Sequence, residues 1–390
     1  MNSLRFIFLA AAMSASVAQA APKTSIYGYV EGYYEKVDDT PSVNTTTPSE
    51  NPGEFQVPNL NVMIQSVGDG TKAYINLSGA DAGTVNVNNA WAEMDLHGEM
   101  VRFRIGKLYR PFGLYNEMLD AVPTYIGIES PELYDSDHLM LSRETNMMIH
   151  GRLAAGPGFL NWSLTTGNDD AIDTNTPLGV DLRWNMGSKW LVGASYYTSG
   201  GKVGYDSDFK GGVLPYWTED EYSVSGIYGQ YRDESWTVQV AYYASSHEGT
   251  RASDICTNTL DDRLNERFNC SGTPDLNGEF DAKTYYIRAG YDVYLKSGTL
   301  TPYVQYDYYE NPEMLPVKSE GGDNEAGISN DGSFVKATLG TVYRPQANLA
   351  LKLDYSQHIQ EVDTVSNSTI DGDSENYGEV RFSFSYFWQL

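Results

Sequence analysis

Only two of the 390 residues are cysteine, and no stretch approaches the twenty apolar residues that a membrane-spanning helix needs. The first scarcity excludes a disulfide-built scaffold, and the second a helical membrane protein. Basic residues are also few: 26 Lys and Arg stand against 52 Asp and Glu. That balance argues against nucleic acid and anionic lipid surfaces as partners. The five histidines show no Ser or Asp spacing that singles out a triad, and no acidic run has EF-hand spacing. No catalytic residue, no metal and no cofactor is therefore expected. His97 falls in a turn, His138 and His247 in loops, and His150 and His358 on an inner face.

The one short apolar run is N-terminal. Arg5 precedes apolar residues over 6–13, and Ala18-Gln19-Ala20 is an A-x-A cleavage site. Residues 1–20 read as a secretory signal peptide, with residues 21–390 as a single exported domain. Without Arg5 that domain holds 25 basic and 52 acidic residues, a formal charge of −27.

What the chain does have is alternation. Val380, Phe382, Phe384, Tyr386, Trp388 and Leu390 share one face of the last segment, while Arg381, Ser383, Ser385 and Gln389 share the other. A period of two ending on the last residue describes a strand between two unlike solvents, as in a membrane β-barrel. About sixteen such segments are predicted, from 24–35 to 377–390, among them 221–232, 234–246 and 280–295. Every second connection is short and rich in turn residues, such as Gly68-Asp69-Gly70, His97-Gly98 and Arg232-Asp233-Glu234. The others are mostly long and polar. The expected fold is thus all-β: a transmembrane antiparallel barrel of about 16 strands, with short periplasmic turns and long extracellular loops. A secreted β-sandwich would show alternating strands too, but not loop lengths sorted to one side. Tyr34, Trp190, Tyr222, Trp236, Tyr294 and Trp388, at strand ends, suit the interfacial girdles.

Charge is sorted as well. About two thirds of the acidic residues lie in the long loops, leaving wall and turns near neutral. Such loops either keep the outer face solvated or hold divalent cations together with lipopolysaccharide. The third long loop, 109–143, carries Glu117, Asp120, Glu129 and Glu132, while Arg102, Arg104, Arg152 and Arg183 face inward on neighbouring strands. If the loop folds into the lumen, acid on the loop meets base on the wall across a narrow passage. The alternative is that the wall arginines pair with inward Asp181, Asp292, Asp307 and Asp354.

The overall pattern resembles Gram-negative porins. Residues 104–114, with Gly106-Lys107 followed by Pro111-Phe112-Gly113, look like the G-[QK]-x-x-x-P-F-G segment of the porin O/P group, which includes phosphate- and polyphosphate-selective channels. The resemblance implies a homotrimer in the outer membrane with one pore per subunit, and the third loop as constriction. Outer-membrane lipid, lipopolysaccharide and small hydrophilic solutes are the implied partners. This chain ends in Leu390, where porins of this kind usually end in Phe, and it lacks the dense basic ladder of anion-selective members. Passive diffusion of ions and small solutes is the expected role. The rival is a substrate-specific channel for sugars or phosphate-like anions, with inward tyrosines such as Tyr29, Tyr286, Tyr303 and Tyr309 as stacking surfaces. Cys256 and Cys270 share the sixth long loop in an oxidising compartment, and a disulfide between them is expected to stabilise it by roughly 3 kcal/mol.

Overall fold

Hydrocarbon offers no hydrogen-bond partners, so a sheet that crosses it must pair both of its edges. The computed structural model describes residues 22–38, 53–79, 84–117, 122–124, 126–131, 144–167, 176–204, 217–251, 269–313, 329, 332–359 and 376–390. Within them sixteen antiparallel strands close into a barrel. They are β1 (Lys23–Asp38), β2 (Glu54–Gly68), β3 (Thr71–Gly79), β4 (Val85–His97), β5 (Val101–Tyr109) and β6 (Glu144–Ala155). Next come β7 (Gly158–Thr166), β8 (Leu178–Met186), β9 (Trp190–Thr198), β10 (Trp217–Arg232) and β11 (Trp236–Arg251). The last are β12 (Asn277–Tyr291, resuming as Val293–Leu295), β13 (Gly298–Glu310), β14 (Ser333–Gln346), β15 (Leu349–Ile359) and β16 (Tyr377–Gln389). A two-residue strand, Val203–Gly204, pairs with Asp220 and Glu219 beside them.

Closure is made by the terminal strands. β1 and β16 run in register from Tyr27↔Gln389 to Asp38↔Gly378. Leu390 is itself engaged: its N–H donates to the Ile26 carbonyl at 2.8 Å. The period-two pattern becomes two surfaces. Phe382 and Phe384 are 42% and 40% exposed toward lipid, whereas Ser383 and Ser385 are fully buried inside. Inside, Glu31 accepts from Ser383 Oγ (2.7 Å) and Asn59 Nδ2 (2.8 Å), tying three strands together at one level.

The observed strands outrun the predicted ones toward the long loops. β10 begins at Trp217 instead of 221, β11 ends at Arg251 instead of 246, and β12 begins at Asn277 instead of 280. Beyond the apolar band the alternation fades, because Glu219, Glu221, Glu248 and Thr250 are polar. The backbone ladder nonetheless continues, with Glu219↔Thr250 and Glu221↔Glu248. His247, expected in a loop, therefore lies within β11 and is buried.

The short turns are built as their residues require. In the β10–β11 turn, Asp233 Oδ1 accepts the N–H groups of Ser235 (2.9 Å) and Trp236 (2.8 Å), and Oδ2 accepts Tyr231 OH (2.6 Å). The Tyr231 hydroxyl, then the two backbone donors, hold this carboxyl at about 2. An unfolded Asp titrates near about 3.9, so the turn is stabilised in full above that value and loses this contribution as pH falls toward 2. Asp233→Asn is expected to lower the melting temperature at neutral pH. The gap to wild type should close as the pH is lowered through that window; a gap constant with pH would refute the assignment.

Candidate constriction site

The wall gives way to the third loop through a bulge and two glycines. The β5–β6 register slips between Ile105 and Leu108. Gly106 has φ +139°, and a Cβ there would sit 2.2 Å from the Ala90 carbonyl oxygen, so only glycine fits. Leu108, Tyr109 and Arg110 then turn inward and are buried. The Arg110 guanidinium lies 4.0 Å from the Tyr197 ring, and its Nη2 donates to the Glu144 carbonyl at 2.9 Å. Phe112 packs 4.9 Å from Tyr243, within a luminal cluster that includes Tyr29, Tyr228 and Tyr286. Gly113, at φ +64°, donates its N–H to Ser195 Oγ at 3.0 Å. The Gly106–Gly113 motif is thus an elbow that swings the loop off the wall.

The loop then crosses the lumen. Tyr115 OH donates to Gln239 Oε1 on β11 (2.5 Å) and accepts from Arg288 Nη1 on β12 (2.8 Å). Further on, Arg288 Nη2 donates to the Glu129 carbonyl (2.8 Å) and Lys352 Nζ to the Gly127 carbonyl (2.6 Å). Ile128 N–H donates to Asp354 Oδ2 (2.8 Å). The Glu129 carboxylate pairs with Lys336 (2.6 Å) and with Arg381. Arg381 also bridges Glu35 (3.0 Å) and Glu379 (2.6 Å). Arg288 on β12, Lys336 on β14, Lys352 on β15 and Arg381 on β16 are therefore spent as loop anchors.

On the opposite side a cavity of about 330 Å³ remains between the root of the loop and strands β5–β8. Arg102, Arg104, Arg152, Arg183 and Glu117 all line it, so the fold gathers these five around one space. Arg104 donates through Nε (2.8 Å) and Nη2 (2.6 Å) to Glu93 Oε2, which His150 Nε2 also meets at 2.9 Å. The guanidinium lies 3.8 Å from the Trp91 ring. Arg102 pairs with Asp95 at 2.9 Å. Arg183 pairs with Asp181 (2.7 Å) and Glu117 (2.9 Å), so wall and loop acids share it. Arg152 stacks over Phe159 at 3.7 Å.

Glu129 is not opposite Arg102, Arg104 and Arg152. The loop spans the lumen, which carries Glu129 to the far wall, where Lys336 and Arg381 hold it. Asp120, Glu132 and Cys256 lie outside the described residues; Cys270 is disulfide-bonded. Glu93, Asp95 and Glu99 were missed. For the first two a signal existed: the His97-Gly98 turn sets a register that puts Glu93 opposite Arg104 and Asp95 opposite Arg102. His358 faces inward as expected, 3.3 Å from Glu379, while His247 meets Asp220 (2.6 Å) and Ser245 (2.9 Å).

The sequence profile of a family described as Gram-negative porin matches residues 8–358. Among solved structures, the anion-selective porin from Comamonas acidovorans is similar at 14% identity, with 94% of this chain and 100% of that chain covered and a TM-score of 0.59. OmpT of Vibrio cholerae, an outer-membrane protein in trimer form, is similar at 12% identity, 95% and 100% coverage, and a TM-score of 0.56. The outer-membrane channel DcaP of Acinetobacter baumannii follows at 12% identity, 94% and 98% coverage, and a TM-score of 0.53. At such identities the shared property is the fold. Comparison with curated protein sequences gave no match.

Lys352→Met tests the anchor. It removes the donor to Gly127 from a fully buried position. Leaving a buried carbonyl unpaired costs about 1–3 kcal/mol. The variant is expected to unfold at lower denaturant concentration and to show larger open-channel current fluctuations in single-channel recordings. Wild-type stability and noise together would remove the loop from this wall.

Proposed function

Because the chain belongs to the Gram-negative porin family, we propose that its outer-membrane barrel conducts through one passage per subunit, between the third loop and the β5–β8 wall. It is a porin for passive diffusion of ions and small hydrophilic solutes. The observation that carries the finer reading is charge compensation along that passage. Arg102, Arg104 and Arg183 are each paired with carboxylates, and Arg152, without a carboxylate partner among the described residues, shares the lining with Glu99, so the charges of the lining nearly cancel in sum. A nearly neutral constriction below acidic loops gives weak cation preference, because the loops enrich cations at the mouth while the passage itself holds little net field.

Two observations weigh against a specific channel. Tyr29, Tyr286, Tyr303 and Tyr309 are buried in packing, so they offer no open stacking surface to a sugar. Arg288, Lys336, Lys352 and Arg381 hold the loop, so they do not form a ladder for phosphate. Catalysis is not part of the proposal. Asp220, His247 and Ser245 align as acid, imidazole and hydroxyl, but the imidazole is stacked between Phe280 (4.4 Å) and Tyr222 (5.3 Å) and all three groups are buried. A homotrimer, and lipopolysaccharide against the acidic loops, complete the assignment. Cys270 takes Cys256 as its partner, which peptide mass mapping before and after reduction tests directly.

Purified protein in a planar bilayer is expected to give stepwise conductance with mild cation selectivity; absence of steps would sink the reading. Arg102→Gln with Arg104→Gln uncovers Asp95 and Glu93. One charge about 4–10 Å from a passing ion is worth ~0.4–1 kcal/mol in water; acting with opposite sign on cation and anion, it changes the cation-to-anion permeability ratio by about four- to thirtyfold. The reversal potential in a salt gradient should therefore move toward stronger cation preference. An unmoved reversal potential would exclude this wall as the ion path.

A further inference from the structure

Three of the four arginines in the passage are occupied; Arg152 is different. Among the described residues it has no carboxylate partner, and its guanidinium is laid 3.7 Å from the ring of Phe159, which is 43% exposed. Glu99 lines the same cavity and likewise has no ion-pair partner there. The two residues are backbone neighbours, with Arg152 N–H donating to the Glu99 carbonyl at 2.9 Å, yet their side-chain charges do not pair. One open cation and one open anion thus stand side by side where the cavity meets the periplasmic turns.

We propose that Arg152 and Glu99 form a docking point for zwitterionic solutes of the amino-acid or short-peptide class. The proposal rests on the cavity being the solute path. The guanidinium is suited to a carboxylate: stacking on Phe159 restricts its rotamers before a ligand arrives and leaves its N–H edge open for a bidentate contact. Glu99 then receives the ammonium group. A simple anion meets a worse balance. It must pass a chain with a net charge of −26 and sit beside Glu99 without compensating it. A zwitterion brings the same carboxylate with no net charge and neutralises both wall groups at once. The cavity, about 330 Å³, lies at the small end of the range for ligand pockets, which bounds the solute to roughly an amino acid or dipeptide.

The test uses three molecules of one skeleton at neutral pH: L-phenylalanine, 3-phenylpropionate without the ammonium, and 2-phenylethylamine without the carboxylate. Each is titrated against single-channel current of the purified full-length protein. L-Phenylalanine is expected to interrupt the current at about tenfold lower concentration than either analogue, the factor that one charge-assisted hydrogen bond supplies. Arg152→Gln should bring L-phenylalanine level with 2-phenylethylamine, and Glu99→Gln, at an exposed turn position, should shift preference toward 3-phenylpropionate. Equal response to all three in wild type, or a preference that survives Arg152→Gln, overturns the docking point while leaving the porin reading intact. Channels that never open overturn the porin reading, and the docking point with it.

Discussion

Every peptide group in the wall must find a partner inside the protein, because the lipid has none to offer. This constraint forces the ring, and the ring forces the rest. Sixteen strands can close only if the first pairs with the last, and it does, from Tyr27 to Asp38 along β16. Closing the sheet gives it an inside. The strand period then sorts residues without further instruction: Phe382 and Phe384 to lipid, Ser383 and Ser385 to the lumen.

A ring of this size encloses more space than its own side chains fill. The third loop supplies the filling, and it is held by the wall's own cations. Arg288 and Lys352 donate to loop carbonyls, and Lys336 and Arg381 grip Glu129. Where the loop enters, the interior is thereby packed like a globular core, with Phe112 and Tyr115 against luminal tyrosines. Against β5–β8 a cavity of about 330 Å³ lined mostly by polar and charged side chains stays open. A basic residue that anchors a loop is already neutralised there, which is why the proposed weak cation preference rests on the acidic loops and not on these cations.

The barrel, its strand count and the sidedness of its loops were legible because lipid imposes a strict two-residue period. Strand ends were less so. Past the apolar band both sides of the sheet meet water or loops, and β10 and β11 continue on backbone pairing alone, through Glu219 and Thr250. Arg102, Arg104, Arg152, Arg183 and Glu117 were readable as luminal from parity and loop position. Their partners were only half readable: Glu93 needed the hairpin register, and Asp181 shares Arg183 with Glu117, so wall pairing and loop pairing are both present. Glu129 went elsewhere because sequence proximity to β5 says nothing about how far a long loop reaches. The motif at 104–114 was recognisable, but its meaning as an elbow came from the positive φ of Gly106 and Gly113.

That reach has a temporal side. Residues 127–129 of the third loop are fastened to residues from 159 positions further along the chain (Arg288 to Glu129) to 226 (Asp354 to Ile128), and Arg381 lies further still. Such contacts, like those of the β1–β16 seam, are strongly non-local, and pairing of that kind is slow to form. A chain threaded only as far as β11 has no Arg288, Lys336, Lys352, Asp354 or Arg381 on which to fasten the loop. The loop is therefore fastened by the same C-terminal strands that complete the wall. A half-built barrel cannot hold its loop across the lumen, so the ordering of the interior and the closure of the ring arrive together.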